Sequence, residues 1–182
     1  MHYIASQVSV CFNKLRESQG SNKPTFISGR DRGGSDLNSP KLVVVGSAAV
    51  DISCRSDAKS AESLDAGSTT PGRIAIGFGG VARNIAEAAH RILSARGDVN
   101  ATMLISPIAS DHFSGLIMSN LKSLGLREDG LLKSTSRQCR SATCAMFLDR
   151  QGELINGIAD MSITVSMHNQ HVRALFWSRG FM

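Results

Sequence analysis

The sequence predicts an α/β fold in which a parallel sheet is flanked by helices and carries a small antiparallel hairpin. Continuous apolar runs at 41–46 and 101–106 are typical of strands that are buried on both faces. Helical periodicity over 81–95 and 110–124 places one helix before the second run and one after it. Because strands and helices alternate, a parallel sheet is the leading arrangement.

The composition predicts one principal globular domain without a nucleic-acid or membrane partner. The chain has 182 residues, 42% of them hydrophobic, and a net charge of +5. Residues 41–160 contain thirteen basic and twelve acidic groups, so the excess positive charge lies towards the two ends. A nearly neutral centre with few aromatic residues lacks the electrostatic signature of a nucleic-acid binder. No apolar run approaches the ~20 residues of a membrane span.

The first forty residues are predicted to be a disordered arm or linker. Residues 17–40 are rich in Ser, Gly, Asn and Asp, and such a segment buries too little apolar surface to offset its ordering entropy. The four cysteines show no Cys-x-x-Cys spacing, which indicates reduced thiols and a cytoplasmic protein. Residues 1–16 contain no acid and faintly resemble a mitochondrial transit peptide, so the mitochondrion is the alternative compartment.

The predicted elements follow the arm in order. The strand at 41–46 leads to a polar, turn-rich segment at 51–71 and then to a second strand at 73–76. A helix over 81–95 follows and leaves Asn84 outside its apolar stripe. The stripe is formed by Val81, Ile85, Ala88, Ala89, Ile92 and Leu93.

The later elements are a buried strand, a helix and the hairpin. The strand at 101–106 is expected to stop at Pro107. The next helix, over 110–124, is expected to be capped by Ser110 or Asp111 and to end at Gly125. Its apolar face is formed by Phe113, Ile117, Leu121 and Leu124. Two extended segments, 140–149 and 153–160, flank a tight turn and predict the hairpin.

The remaining residues, 161–182, form an atypical tail for which the sequence predicts no regular element. They show no sustained hydrophobic period. His168 and His171 are three residues apart but have no cysteine or carboxylate at zinc-site spacing, so no metal site is predicted.

The glycine turn at 77–80 is the strongest candidate binding site. Gly77, Gly79 and Gly80 lie between a strand and a helix, where a ligand can approach backbone that no Cβ shields. The segment also fits the Gly-x-Gly-x-x-Ala fingerprint of dinucleotide-binding folds, with Asp98 where a ribose-binding acid would lie. However, Asp98 precedes the next strand instead of ending it. A dinucleotide-binding oxidoreductase fragment is therefore the alternative, together with a non-catalytic binding module.

Several landmarks in order resemble the PfkB-type ribokinase family of carbohydrate and nucleoside kinases. Residues 46–51 (GSAAVD) resemble its first strand and the aspartate after it, and residues 79–86 (GGVARNIA) resemble its Gly-Gly signature. Residues 111–115 (DHFSG) resemble an Asp-x-x-x-Gly helix start, and Thr143 with 149–153 (DRQGE) resembles its hairpin. Within the family, residues 84–91 (NIAEAAHR) and the hairpin end at 159–161 (ADM) look most like those of pseudouridine kinases, including eukaryotic forms fused to a glycosidase.

The resemblance implies a substrate site formed by Asp51, Gly79, Gly80 and Asn84. It covers residues 41–160 and implies a ribokinase-like sheet with an antiparallel lid, through which family members often pair as homodimers. It also implies phosphorylation of a sugar or nucleoside hydroxyl, with ATP and Mg²⁺ as cofactors of the full-length protein. The chemistry agrees, because a carboxylate accepts hydrogen bonds from hydroxyls and an amide both donates and accepts them.

The family's catalytic segment, Gly-Ala-Gly-Asp, has no match in this sequence. Residues 157–160 (GIAD) imitate it but lack the second glycine and end a hairpin, so Asp160 is interpreted as hairpin end or substrate rim and not as the catalytic base. We therefore expect no catalytic, cofactor-binding or metal-binding residue in this chain. The expectation is a fold that is incomplete at its C-terminus, a truncated product that carries the substrate-binding half and is inactive alone.

Overall fold

The structure is a computed structural model and describes residues 9–12, 40–57, 67, 69–134, 136 and 138–165. The described strands are β1 Ser9–Phe12, β2 Leu42–Val45, β3 Ala49–Ser56, β4 Gly72–Gly79, β5 Thr102–Ile108, β6 Leu131–Lys133, β7 Thr143–Leu148 and β8 Leu154–Asp160. The described helices are α1 Val81–Ala95, α2 His112–Leu124 and α3 Ser162–Val165. The two tail histidines lie outside the described residues.

The first sheet, sheet A, is mainly parallel and has the strand order β1-β2-β5-β6. Strands β2 and β5 pair in parallel and are buried along their whole length, which confirms the two predicted central strands. Strand β1 pairs antiparallel with β2. The first forty residues were predicted to form a disordered arm, so the strand β1 within them differs from the prediction. The segment SVCF is rich in residues that favour strands, and the edge of β2 offers it a partner.

Strand β5 continues through Pro107, which was wrongly expected to end it. Strand β2 runs beside β5 only as far as the pair Val45 and Ile105, and beyond that point β5 pairs with β6. The amide of Ser106 donates to the Gly130 carbonyl in the β6 direction. The backbone nitrogen of the next residue, Pro107, points to the opposite edge of β5, where β2 has already ended. Its missing N–H therefore removes no hydrogen bond between strands. The edge strand β6 was not predicted.

The second sheet, sheet B, has the strand order β4-β3-β7-β8. Strands β7 and β8 form the predicted antiparallel hairpin, with Gly152 at positive φ in the turn. Strand β3 was wrongly interpreted as polar turn-rich chain from residue 51 onwards. Its polar and apolar residues alternate, a pattern that becomes a strand once β4 and β7 pair on its two sides. The strand predicted at 73–76 is the longer β4, and it belongs to this sheet.

The main hydrophobic core lies between sheet A and the helices α1 and α2. Helix α2 buries its predicted face, with Ile117 and Leu121 in the core and Phe113 and Leu124 packed against it. No described helix is long and apolar enough to cross a membrane.

Helix α1 has the predicted bounds, but its buried face differs from the predicted stripe. Val81, Ile85 and Ile92 are 52%, 36% and 57% exposed. Two residues of the predicted stripe, Ala89 and Leu93, do pack against the core, but the other core-facing side chains are Ala82 and Ala86, one position after Val81 and Ile85. Both sets repeat with helical period, and one residue is a rotation of about 100°. The alanine-rich set packs inwards because small side chains let the helix approach the sheet.

Asp111 links three parts of the fold. As the N-cap of α2 it accepts a hydrogen bond from the Ser114 amide at 2.8 Å, which confirms the predicted cap. The Ser141 amide and hydroxyl, which precede β7, donate to the same carboxylate at 2.7 Å and 2.8 Å. Burial raises the pKa of Asp111, but these hydrogen bonds outweigh it and leave the pKa below 3.8. The ionised carboxylate therefore stabilises the fold.

We expect Asp111→Ala to reduce the free energy of unfolding by about 2 kcal/mol at pH 7. The substitution removes the helix cap and leaves the Ser114 amide and the two Ser141 donors without their acceptor. The lowered pKa means that this stabilisation is present above pH 3.8 and is lost as the pH falls through the folded-state pKa. Urea unfolding at several pH values measures it. Asp98→Ala, which removes an exposed ion pair with Lys41, is the control and should cost less than about 1 kcal/mol. Equal losses in the two variants would contradict the role of Asp111.

Candidate functional site

The candidate site lies where the two sheets meet, at the junction of β4 with α1. Gly80 is the N-cap of α1 and has a φ of 91°, a conformation that favours glycine. A Cβ at Gly80 would lie 2.9 Å from the carbonyl carbon of Ser47, in the segment that joins β2 to β3. The Arg83 amide donates to the Ser47 carbonyl at 3.2 Å. The helix start is thus held directly against the start of β3.

The carboxylate of Asp51 lies against the backbone of Gly79. A Cβ at Gly79 would be 2.7 Å from Cγ of Asp51, closer than real side chains approach. The neighbouring glycine on the same face, Gly77, is the cross-strand partner of Asp51, and a Cβ there would meet only ordinary contacts at 3.9 Å and beyond. Gly79 is therefore the position that makes room for the carboxylate.

Asp51 is half-buried, and its carboxylate accepts no hydrogen bond from any described residue. Burial raises its pKa above 3.8, and the positive charge of Arg83 partly opposes this shift. Its oxygens are not among the fully buried atoms that lack a partner, so water can reach them, and the hydroxyl groups of a ligand could replace that water as hydrogen-bond donors.

Asn84 lies in the first turn of α1 with an exposed side chain. Its backbone amide donates to the Gly80 carbonyl at 3.0 Å, and its Oδ1 accepts a hydrogen bond from Nη1 of Arg83 at 3.0 Å. Asp51 thus lies against Gly79, and Asn84 is joined to Gly80 in the first turn of α1. Their role in substrate binding stays a prediction.

Two residues at the site were missed by the sequence reasoning. Cys144 pairs in register with Asp51, and burial, together with the negative charge of Asp51, raises the pKa of its thiol. Arg83 is 8% exposed although it is charged. Only the long-range pairing of β3 with β7 reveals Cys144. The signal for Arg83 was available, because a charged residue next to the core-facing positions of a helix must find partners.

The face of sheet B that carries Asp51 is lined mainly by small side chains. Residues that pair in register share a face, as do alternate residues along a strand. The positions around Asp51 on this face are Ala75, Gly77, Ser53, Cys144, Met146, Gly157 and Ala159. Small side chains beside an unpaired carboxylate leave space in which a ligand of moderate size could lie over the sheet.

The structure does not support the dinucleotide-binding alternative. In that fold the strand before the glycines lies in the middle of a parallel sheet, whereas among the described strands β4 pairs with β3 alone and runs antiparallel to it. Asp98 lies before β5 and forms an ion pair with Lys41. Asp160 ends β8, where its Oδ1 accepts a hydrogen bond from the Ser162 hydroxyl at 2.8 Å.

The chain belongs to the pfkB family of carbohydrate kinases, because the family's sequence profile matches residues 39–171. Its sheets and helices have the ribokinase-like arrangement. The pseudouridine kinase of Escherichia coli K12 is 30% identical over 123 residues, which cover 68% of this chain and 36% of that enzyme.

Solved structures agree with this assignment. A candidate sugar kinase from Clostridium perfringens is 29% identical with a TM-score of 0.58, over 74% of this chain and 39% of that one. A fructokinase from Xylella fastidiosa, solved with bound ATP, shares the fold at 17% identity and a TM-score of 0.53, over 74% of this chain and 37% of that one. The chain thus spans between about a third and two fifths of the length of these relatives.

We expect Gly79→Ala to reduce the free energy of unfolding by about 2 kcal/mol, because the new methyl group overlaps the Asp51 carboxylate. Gly77→Ala, on the same strand and face, is the matched control and should change it by less than about 1 kcal/mol. Thermal unfolding measures both. In the Asp51→Ala background the penalty at position 79 should largely disappear, and an unchanged penalty there would show that the carboxylate is not what occupies the space.

Proposed function

We propose that the junction of β4 and α1 binds the hydroxyl groups of a sugar or nucleoside, as the acceptor-binding part of a carbohydrate kinase. The observation that carries the proposal is the Asp51 carboxylate, which is half-buried on Gly79 and lacks a hydrogen-bond donor among the described residues. Gly80 follows Gly79 directly, and Asn84 lies in the first turn of the helix that begins there. A carboxylate next to an amide matches adjacent hydroxyls, which can donate to the first and accept from the second.

Pseudouridine is the first ligand to test, and ribose is the second. The support for pseudouridine is the similarity to the Escherichia coli enzyme of that name. The small residues on the Asp51 face of sheet B are compatible with a base lying over the sheet. Both ligands present the ribose-type hydroxyls that the proposed site would recognise.

We further propose that this chain supplies substrate binding and not phosphoryl transfer, so that the purified chain binds its ligand without phosphorylating it. Within the described ranges no three acidic, histidine or cysteine side chains cluster as a metal site would require. The proposal therefore assigns no residue to ATP or Mg²⁺. Cys54, Cys139 and Cys144 are free thiols, in keeping with a cytoplasmic location, and the mitochondrion remains the alternative.

Isothermal titration of the purified chain with pseudouridine and with ribose tests the proposal. We expect one of them to bind, and Asp51→Asn to weaken that binding by at least about tenfold, because the ionised acceptor is lost while the shape is kept. Asp57→Asn, at the far end of β3, is the matched control and should bind like the unsubstituted chain. Binding of neither ligand, or equal binding by Asp51→Asn, would count against the proposed site.

The pH dependence provides a second readout of the same site. Because the pKa of Asp51 is raised, its carboxylate takes up a proton at a higher pH than an ordinary aspartate with a pKa of 3.8. Affinity should therefore decrease as the pH falls towards that raised pKa, while Asp51→Asn should show no such decrease. An affinity that stays constant down to pH 4 would contradict a role for the ionised carboxylate.

We also propose that the other face of sheet B pairs with a second copy of the chain. Four large apolar side chains are exposed on that face: Ile74 at 76%, Ile76 at 57%, Phe147 at 44% and Ile158 at 67%. Ile76 and Ile158 lie in one row across the four strands. An apolar patch on a sheet is typical of a protein interface, and a closed two-fold contact is the commonest kind between identical chains.

Light scattering coupled to size exclusion tests this pairing. We expect the unsubstituted chain to have twice its monomer mass of 19.4 kDa, and Ile76→Lys combined with Ile158→Lys to be monomeric, because buried lysines would face each other across the interface. Val99→Lys replaces an equally exposed valine away from sheet B and should leave the mass unchanged. A monomeric unsubstituted chain would contradict the dimer.

A further inference from the structure

We infer that Arg83 is a positioning residue that decides which end of the Asn84 amide faces the substrate. The inference rests on the proposed function of the same site. It assigns Asn84 as a hydrogen-bond donor to the ligand, through Nδ2, and Asp51 as the matching acceptor.

Arg83 is a charged side chain in the interior. It lies on α1 with 10% of its side chain exposed, which would be costly without partners. Its Nε and Nη2 donate to Oδ1 of Asn120 on α2, at 3.2 Å and 2.8 Å. Its Nη1 forms an ion pair with Oε2 of Glu87 at 2.6 Å. Because the guanidinium group is planar, these contacts fix its orientation.

The same Nη1 atom reaches Asn84, the residue proposed to contact substrate. It donates to Oδ1 of Asn84 at 3.0 Å. An asparagine amide could offer either its carbonyl oxygen or its NH₂ group to a ligand, and nothing in the sequence chooses between them. Because Arg83 can only donate, Oδ1 is the end of the amide that faces it, and Nδ2 at the other end is the group offered to a ligand.

Glu87 contacts the same Nη1 atom of Arg83 that donates to Asn84. Its Oε1 accepts hydrogen bonds from Nε and Nη2 of Arg91, at 2.9 Å and 2.6 Å, so Oε2 is the atom turned towards Arg83. The hydrogen bond from Arg91 lowers the pKa of Glu87, and the charge of Arg83 contributes to the same shift. Glu87 is thus ionised at neutral pH and balances the buried cation.

The arrangement produces a defined pattern of donors and acceptors. Asp51 can only accept hydrogen bonds when ionised, and Asn84 is left to donate one. Two neighbouring hydroxyls fit this pair when one donates to the carboxylate and the other accepts from the amide. A ligand that lacks the second hydroxyl would leave Nδ2 without its acceptor, so the site should discriminate against it.

A simpler role for Arg83 would be to join α1 to α2 through Asn120. In that case its replacement would loosen the whole site and weaken every ligand equally. A positioning role predicts instead that the loss falls on ligands with the hydroxyl that Asn84 recognises. Discrimination between two ligands therefore separates the roles, whereas affinity for one ligand does not.

The test is isothermal titration of pseudouridine and of its 2′-deoxy and 3′-deoxy analogues. We expect the unsubstituted chain to bind pseudouridine about tenfold or more tightly than one of the analogues. Arg83→Lys keeps the charge but cannot hold three acceptors with a planar fork. The Arg83→Lys variant should bind that analogue with unchanged affinity. Its preference for pseudouridine over the analogue should fall at least threefold, towards the preference of Asn84→Ala. The double variant should show no further loss.

Two more variants complete the design. Arg96→Lys, at the C-cap of the same helix, is the matched control and should keep the full preference. Asn120→Ala removes two hydrogen bonds to Arg83 from outside the substrate site and should reduce the preference, which keeps the test informative if Arg83→Lys fails to fold.

The outcomes are distinguishable. An unsubstituted chain that binds neither pseudouridine nor ribose contradicts the proposed function and this inference with it. If it binds only ribose, ribose and its 2-deoxy and 3-deoxy analogues replace the nucleosides in the same comparison. If the unsubstituted chain binds its ligand, the inference alone is overturned when Arg83→Lys keeps the full preference. An equal loss of affinity for the ligand and its deoxy analogue is such a case.

Discussion

The close approach of two glycines to the start of β3 is the constraint on which the rest of the site depends. The Asp51 carboxylate packs against the backbone of Gly79, and the Ser47 carbonyl packs against Gly80. A side chain at either position would separate the end of β4 from β3 and would tilt α1 away from the sheet. The carboxylate, the helix start and Asn84 would then no longer lie together, so one steric requirement sets the geometry of the junction.

The site also illustrates how a fold can hold charge near its interior. Arg83 is balanced by Glu87 and satisfied by Asn120, while no residue of the described ranges donates a hydrogen bond to Asp51. The paired arginine therefore stabilises the structure, whereas the aspartate is the charge left to bind a ligand. Burial raises the pKa of Asp51, and the positive charge of Arg83 partly opposes that rise.

Much of the candidate site could be predicted because its landmarks are short and local. Asp51 follows a strand, and the Gly-Gly turn and Asn84 lie within six residues of one another. The buried face of α1 was predicted only in part, at Ala89 and Leu93, because two neighbouring stripes both satisfy the helical period. Strand β3 was missed for a related reason: its alternating residues become a strand only when β4 and β7, distant in the chain, pair with it.

The amino-acid sequence alone was sufficient for the class of fold, the bounds of α1, the cap of α2 and the hairpin. These features follow from local periodicity, glycine conformations and short motifs, which are properties of neighbouring residues. Tertiary structure decided that β4 belongs to the antiparallel sheet, that alanines face the core, and that Arg83 and Cys144 lie beside Asp51. Each of these depends on contacts between distant segments, whose packing no local pattern encodes.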